Sequence, residues 1–451
     1  MGRCGSLKTK VLAVIGVLAM LLLTACAGME TRAAAPLAPQ ERELLTAVLK
    51  NDLSATTRLL QAGVSPNGCA ANGNSILQTA VYGGNLEMVK LLLRYQADVN
   101  FVNVDGLTAL YLAKKPAMQR ALLENGANPF VRSEKKQYSP LEAWCTTFAH
   151  ITSEAEKKKA LEILKSQHIA VTREQLEQKE WLTRADLAET VKLYQAYKYD
   201  INQTANVNKH TPLHIAALED RYPLMLVLLA AGGRGDVKDR IGDDPLNVIT
   251  RQRQSQNGND DYATVVKALV KAGADINGKD GSGNTPLCNA ALVGNPARLK
   301  TLLGVGGIRV NEPGEFGESA LFKSNVPAVA RELVAAKANV NQTNNGGSTP
   351  LFTVTNPEVV AFLIKSGANV NHLNDEKRNI LVHNLLAAHG EYKISMDETA
   401  VTNRYLKKFE LLIRAGIRVN DAPTPNLTAL QLANRVPFTK IVELLRKAGA
   451  R

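Results

Sequence analysis

Aromatic residues make up only 5% of the 451 residues, while 45% are hydrophobic and 21% charged. The composition is that of a packed chain built with few rings. Catalytic signatures are missing altogether: there is no Gly-x-Ser-x-Gly, no His-Glu-x-x-His, no phosphate-cradling glycine loop and no cluster of metal ligands. A nucleophilic, metal-hydrolytic or nucleotide-dependent reaction has nothing local to stand on. The chain therefore reads as a non-enzyme with no cofactor, no metal and no small-molecule substrate. Basic runs with interleaved aromatics are absent too, and "EKKK" at 156–159 reads as the solvated face of a helix, so no nucleic acid is expected as a partner. The apolar run at 11–23 holds 13 residues, short of the ~20 that span a bilayer as a helix.

What is plentiful is a repeated phrase. "HTPLHIAAL" at 210–218 sets His210 and His214 four apart, a spacing at which two imidazoles can share a metal ion. Relatives of the phrase recur, among them "NSILQTAV" from Asn74, "LTALYLA" from Leu107, "NTPLCNAAL" from Asn284 and "STPLFTV" from Ser348. The place of His214 is taken in the other copies by Gln78, Tyr111, Glu142, Asn247, Cys288, Phe322, Phe352, Val382 and Gln431. A metal site there would be peculiar to one copy, so a structural role is the better reading. The leucines fall in register: Leu77 to Leu110 and Leu213 to Leu246 are each 33 residues, Leu287 to Leu321 is 34 and Leu321 to Leu351 is 30. A second phrase closes most units, ending at Asn100, Asn277, Asn341, Asn371 and Asn420.

A period near 33 with a TPLHxAA core and a GADVN close resembles the ankyrin repeat, over roughly Glu41 to Arg451. The resemblance implies an all-α ankyrin-repeat solenoid of about twelve helix-turn-helix units with finger loops, in which the histidine position bonds neighbouring backbone. The letters also have local reasons. Thr211 can cap a helix, and Pro212 at the first helical position lacks only an N–H that would be orphaned anyway. Leu213, Ala216 and Ala217 follow on a narrow apolar face, and "PLMLVLLAAG" supplies a second helix that stops at glycine. The first unit and the last, from Leu427, read as caps, and the first helix around Trp181 and Leu182 is degenerate before "LAETVKLYQAYKYDIN" resumes the pattern. Three units are overlong, near 146–156, 251–262 and 389–403. Each excess falls between first and second helices, so all three are expected to emerge from the edge opposite the fingers.

The amino terminus carries Arg3, Lys8 and Lys10 before the apolar run, and reads as a secretory signal. Its end, Leu23-Thr24-Ala25-Cys26, resembles a bacterial lipobox, which implies a signal peptide over 1–25, lipid on Cys26, a linker over 26–40 and the repeats over 41–451. Ala27 beside Cys26 implies the outer membrane, with the chain lipid-anchored and facing the periplasm. Losing the three basic residues of the signal lowers the formal charge from +12 to +9, and behind a secretory signal that excess favours an acidic protein partner or anionic headgroups. Cys69, Cys145 and Cys288 lie in different units, tens of ångströms apart at ~8 to 10 Å per helix layer, and are expected as free thiols.

Binding is what remains. The concave surface of fingers and inner helices is the usual docking face of a solenoid. The register leaves Thr79, Ile215 and Leu292 free of core duties, together with Tyr82, Leu218, Glu219, Asn289 and Val293. Phe316 in "EPGEFGES" has no obvious core to join. Tyr82, Leu218, Glu219, Asn289, Val293 and Phe316 are the expected partner-binding residues. The function expected on this reading is a membrane-tethered protein that binds another protein in the bacterial envelope, in its sharper form an inhibitor or immunity factor against a secreted hydrolase. The alternative is a scaffold or chaperone for resident periplasmic proteins.

Overall fold

The computed structural model describes residues 37–133, 137–147, 182–252, 261–421, 427–435 and 438–451. Among these residues there is no strand, only an isolated antiparallel bridge between Cys69 and Ser75, and the architecture is an all-helical repeat. Contacts divide the chain into two compact units, 1–200 and 201–451. The division falls where the degenerate repeat closes. The expected signal, Cys26, Trp181 and most of the excess residues at 146–156 and 251–262 lie outside the described residues.

The first unit pairs Pro39–Leu49 with Leu53–Gln61, Ile76–Tyr82 with Leu86–Arg94 and Ala109–Leu112 with Pro116–Glu124, and adds Pro140–Thr147 and Arg184–Ala196. The second pairs Pro212–Leu218 with Tyr222–Ala230, Pro245–Arg251 with Tyr262–Lys271 and Pro286–Val293 with Pro296–Leu303. It continues through the 3-10 turn Ala320–Lys323 with Pro327–Ala335, Pro350–Thr353 with Pro357–Lys365, Ile380–Ser395 with Glu398–Arg414 and Ala429–Ala433 with Thr439–Lys447. Within the second unit, Pro245–Arg251 packs between the inner helices Pro212–Leu218 and Pro286–Val293.

Each inner helix starts as its letters dictate. Thr211, Ser75, Asp244, Thr285, Asn379 and Thr428 accept a backbone N–H three residues on, satisfying a donor that the first turn would leave orphaned. The closing asparagine acts between repeats. Asn341 donates from Nδ2 to the Gly367 carbonyl at 2.9 Å and accepts from the Asn369 N–H at 2.8 Å. Asn100, Asn202, Asn277, Asn311, Asn371 and Asn420 make the same two bonds to their next repeats. A side chain with one donor group and one acceptor can satisfy both backbone groups at once, which explains why this position is asparagine.

Repeat length sets inner-helix length. Where the leucine spacing drops to 31 or 30, from Leu110, Leu321 and Leu351, the inner element is only Ala109–Leu112, the 3-10 turn Ala320–Lys323 or Pro350–Thr353, four residues each. Full-length repeats run to seven or eight, as in Pro212–Leu218 and Pro286–Val293. Deleting about three residues removes nearly one helical turn and strips carbonyls of their i+4 partners. The next repeat supplies replacements: Trp144 Nε1 donates to the Lys114 carbonyl, Thr353 Oγ1 to that of Phe322, and Asn384 Nδ2 to that of Phe352.

The excess at 389–403 is helix rather than loop. It lengthens the pair to Ile380–Ser395 and Glu398–Arg414, 16 and 17 residues, where Pro212–Leu218 and Tyr222–Ala230 hold seven and nine. At 1.5 Å per residue the nine added residues of the inner helix reach about 13 Å further. Met396 in the left-handed region (φ 55°) ends the first helix, and Asp397 caps the second through the Ala400 N–H. Among the described residues no helix is long and apolar enough to cross a membrane.

Candidate functional site

His214 answers the question its spacing raises. Its Nδ1 accepts from the Thr211 N–H at 3.2 Å, so the neutral ring carries its hydrogen on Nε2, which donates to the Asp243 carbonyl of the next finger at 3.1 Å. Both nitrogens are therefore committed to backbone. His210 stacks on it (centroids 5.9 Å apart) and faces Asp239 at 3.5 Å. Burial first, and then the neighbouring His210, hold the His214 pKa down to about 4. The same place is worked by other chemistry elsewhere: Gln78 Nε2 donates to the carbonyls of Phe101 and Leu107, Tyr111 Oη to those of Val131 and Tyr138, and Asn247 Nδ2 to that of Gly278. Cys288 occupies it as a buried group whose Sγ approaches the Glu318 carbonyl at 3.6 Å, and burial pushes its thiol pKa up, the opposite of an activated nucleophile. Cys69, Cys145 and Cys288 are all unbridged.

The surface left over lies at the ends of inner helices and in the fingers. Tyr82 and Leu218 are the last residues of their inner helices and are exposed, with Glu219 beside Leu218. Two expectations are overturned. Asn289 is buried, its Nδ2 donating to Asp280 Oδ2 at 2.8 Å, and Ile215 is buried as well, because both sit on the helix flank that the adjacent inner helices cover. Val293 is half-buried, and its neighbour Leu292 is the exposed residue at 63%. Thr79 is half-buried and spends its hydroxyl on the Ser75 carbonyl.

Asp280 belongs to a buried polar joint. Arg251 pairs with Asp243 and lies 3.7 Å from Asp280, while Asp243 also accepts from the Gly281 N–H at 3.0 Å. Lys238 reaches Asp244 at 2.7 Å and Asn247 at 3.2 Å. These bonds fasten consecutive fingers of the second unit to its inner helices, so side chains on those fingers are presented from fixed backbone.

Phe316 is the most exposed aromatic side chain among the described residues, at 66%, and its backbone lies in the left-handed region (φ 57°, ψ 17°). A bulky residue adopts that conformation at a cost, and the surroundings enforce it: its carbonyl accepts from the Asn345 N–H of the next finger at 2.9 Å. At Gly314 an added Cβ would meet Asn284 Oδ1, Cys288 Sγ and the Glu318 carbonyl at 3.0 to 3.1 Å, so a side chain there would crowd the turn that carries Phe316. The fingers hold further exposed apolar side chains that the register alone did not flag: Val102, Val104 and Phe130 in the first unit, Val207 and Ile241 in the second. The signal available for them was the one that singled out Phe316, a large apolar residue inside a Gly/Asn/Asp-rich turn.

A family model for ankyrin repeats in three copies matches residues 44–133. The Notch-regulated ankyrin repeat-containing proteins of Homo sapiens and Mus musculus are each 36% identical over 81 residues, which is 17% of this chain and 71% of theirs. That of Xenopus tropicalis is 35% identical over 77 residues, 16% of this chain and 68% of its own length. Among solved structures, the human ASB11 ankyrin repeat domain is 23% identical, with a TM-score of 0.42, covering 60% of this chain and 100% of that one. The ankyrin repeat domain of Bcl-3 is 20% identical, with a TM-score of 0.41, covering 58% of this chain and 98% of that one.

Proposed function

Because this chain belongs to the ankyrin-repeat family, whose repeats are protein-protein interaction domains, we propose that it is a membrane-tethered binding protein of the bacterial envelope that docks a protein partner on its fingers and inner-helix ends. The observation that carries the reading is Phe316: an exposed aromatic held in a costly backbone conformation by the next finger, with no core to serve. Ile241, Leu218 and Leu292 of the same unit offer further apolar contact area, and Glu219 a charged rim. The formal charge of +9 left after signal removal favours an acidic partner. The sharper form of the proposal is an inhibitor or immunity factor that caps a hydrolase secreted into the envelope and acts by occlusion rather than by catalysis.

The test is capture from envelope extract with the chain from Met29 to Arg451 and its Phe316→Ala variant. The expected result is a stoichiometric hydrolase, inhibited on binding, whose affinity falls about thirtyfold in the variant, the ~2 kcal/mol of a hot-spot aromatic. Several resident envelope proteins retained without inhibition would instead mark a scaffold, and an unchanged affinity would remove Phe316 from the interface.

The tether rests on Leu23-Thr24-Ala25-Cys26 and makes its own prediction. Labelled palmitate should enter the wild-type chain and not Cys26→Ser, which should move from the membrane fraction to the soluble one. Label retained in the variant would refute lipidation at Cys26.

A further inference from the structure

The 30-residue repeat that begins at Leu351 has an unusual neighbour. Its clipped inner helix, Pro350–Thr353, leaves the Phe352 carbonyl without an i+4 donor, and the following repeat fills the gap from both helices of its hairpin. Asn384 Nδ2 donates to that carbonyl at 3.0 Å, and so does Lys408 Nζ, also at 3.0 Å. Lys408 Nζ donates in addition to Asn384 Oδ1 at 2.8 Å, and its side chain is fully buried.

The hydrogen count favours the neutral amine at this site. A neutral amine has two, and the site holds two acceptors, both uncharged. An ammonium brings a third hydrogen beyond these two acceptors and a charge in a fully buried position. Among the described residues no carboxylate is placed to offset that charge. On its own helix Glu410 pairs with Lys407, and Arg404 binds Glu391, which also accepts from Tyr405. On the facing helix His383 lies edge-on to Phe352, its pKa lowered by burial and then by Lys408 itself, and His389 is half-buried further along. In the adjoining finger Glu376 pairs with Arg378, and His372 gives its Nε2 to the Gly347 carbonyl. Glu358 and Lys365 on Pro357–Lys365, and Lys440, Glu443, Arg446 and Lys447 on Thr439–Lys447, are all exposed.

We propose that Lys408 is a proton-operated latch: as a neutral amine it fastens the hairpin of Ile380–Ser395 and Glu398–Arg414 to the preceding repeat, and its protonation loosens that hairpin. Burial alone brings the Lys408 pKa down to about 7, so the latch changes state around neutral pH. The sign follows from the proton count. With the folded pKa depressed below the ordinary 10.4 or so, the opened hairpin binds more protons than the closed one between those values, and closure strengthens as pH rises through that window. The element that the latch fastens is the elongated pair itself, whose tip bears Ile394 at 89% and Met396 at 72% exposure, so the device governs the bearing of the hairpin tip.

Two measurements on the full chain test it. In a titration of chain labelled with carbon-13 at lysine Cε, one lysine resonance, assigned by its loss in Lys408→Met, should titrate near pH 7. If Lys408 titrates with the exposed lysines instead, the proposal is overturned. If Lys408→Met does not fold, Lys408→Gln, which keeps a donor for the Phe352 carbonyl, makes the assignment. Amide hydrogen exchange of the 380–414 segment, corrected for intrinsic rates, should show the opening constant falling about tenfold from pH 6 to pH 8. Lys408→Met should show no such fall, and the same tenfold change in that variant would equally overturn the latch.

Discussion

Acidification from pH 6.5 to pH 4 should destabilise the region around the inner helix Pro212–Leu218 by about 3 kcal/mol, and His214→Gln should abolish most of that loss. The ring is fully buried between two backbone partners, with Nδ1 accepting from Thr211 and Nε2 donating to Asp243. Protonating Nδ1 would set an N–H against the Thr211 N–H and place a charge on a fully buried ring. Burial, followed by His210, lowers the pKa to about 4, whereas the unfolded chain takes its proton near 6.5. As pH falls between those values the unfolded state binds a proton that the folded state refuses, so stability is complete above pH 6.5 and is lost toward pH 4. A depression of about 2.5 units is worth about 3 kcal/mol at 1.36 kcal/mol per unit. Glutamine is the informative replacement because Gln78 does the same work in its own repeat: Oε1 accepts from Ser75 N–H at 2.9 Å while Nε2 donates to the next finger. Repeats of this kind unfold locally, so exchange of amides in 211–217 at several pH values is the appropriate measure. An equal acid response in wild type and His214→Gln would refute the assignment.

Trp144→Ala should cost the first unit 3–5 kcal/mol, the range for truncating a buried aromatic. The indole is 1% exposed in the helix Pro140–Thr147, and its Nε1 donates at 2.9 Å to the carbonyl of Lys114, just beyond the short helix Ala109–Leu112. The variant therefore opens a cavity and removes the Trp144 bond to that carbonyl. Trp144→Phe keeps most of the volume and separates the two effects: about 1–2 kcal/mol should remain, attributable to the bond. Urea unfolding followed by circular dichroism would read both. A loss under 1 kcal/mol for Trp144→Ala would mean that the site collapses freely and that the clipped repeat does not depend on its successor. Phe316→Ala, by contrast, should leave stability within about 0.5 kcal/mol, because an exposed ring contributes little to the core.

Comparison of particular residues shows where sequence reasoning reached and where it stopped. Thr211, Pro212 and Gly232 announce helix ends by their own chemistry, and His214 was read correctly once the copies were aligned, because the same position recurs as Gln78 and Asn247. Asn289 was misplaced. Whether a residue on the helix flank is free depends on the width of the contact with the next inner helix, which no pattern inside one repeat encodes. The excess at 389–403 was located correctly but not given its form, since "HGEYKISMDETAVTN" contains a glycine and turn-forming residues that the packing of Val401 and Tyr405 overrides. Lys408 drew no attention at all. A lysine in "RYLKKFELL" beside Lys407 looks like one more solvated charge, and only the partner carbonyl left by a short helix three elements earlier explains why one of the pair is buried.

By itself the sequence carries the repeat, its register and the helix caps. All of these follow from local backbone chemistry repeated at a fixed period. Tertiary structure alone decided which side chains reach solvent, that Phe316 is held outward in a left-handed turn, that Arg251, Asp243 and Asp280 form one joint, and that Lys408 lies in the core. The physical reason is that a residue's solvation and its hydrogen-bond partners belong to its neighbours in space. In a stack of repeats many of those neighbours are some thirty residues away along the chain, as Trp144 is from Lys114 and Asn384 from Phe352.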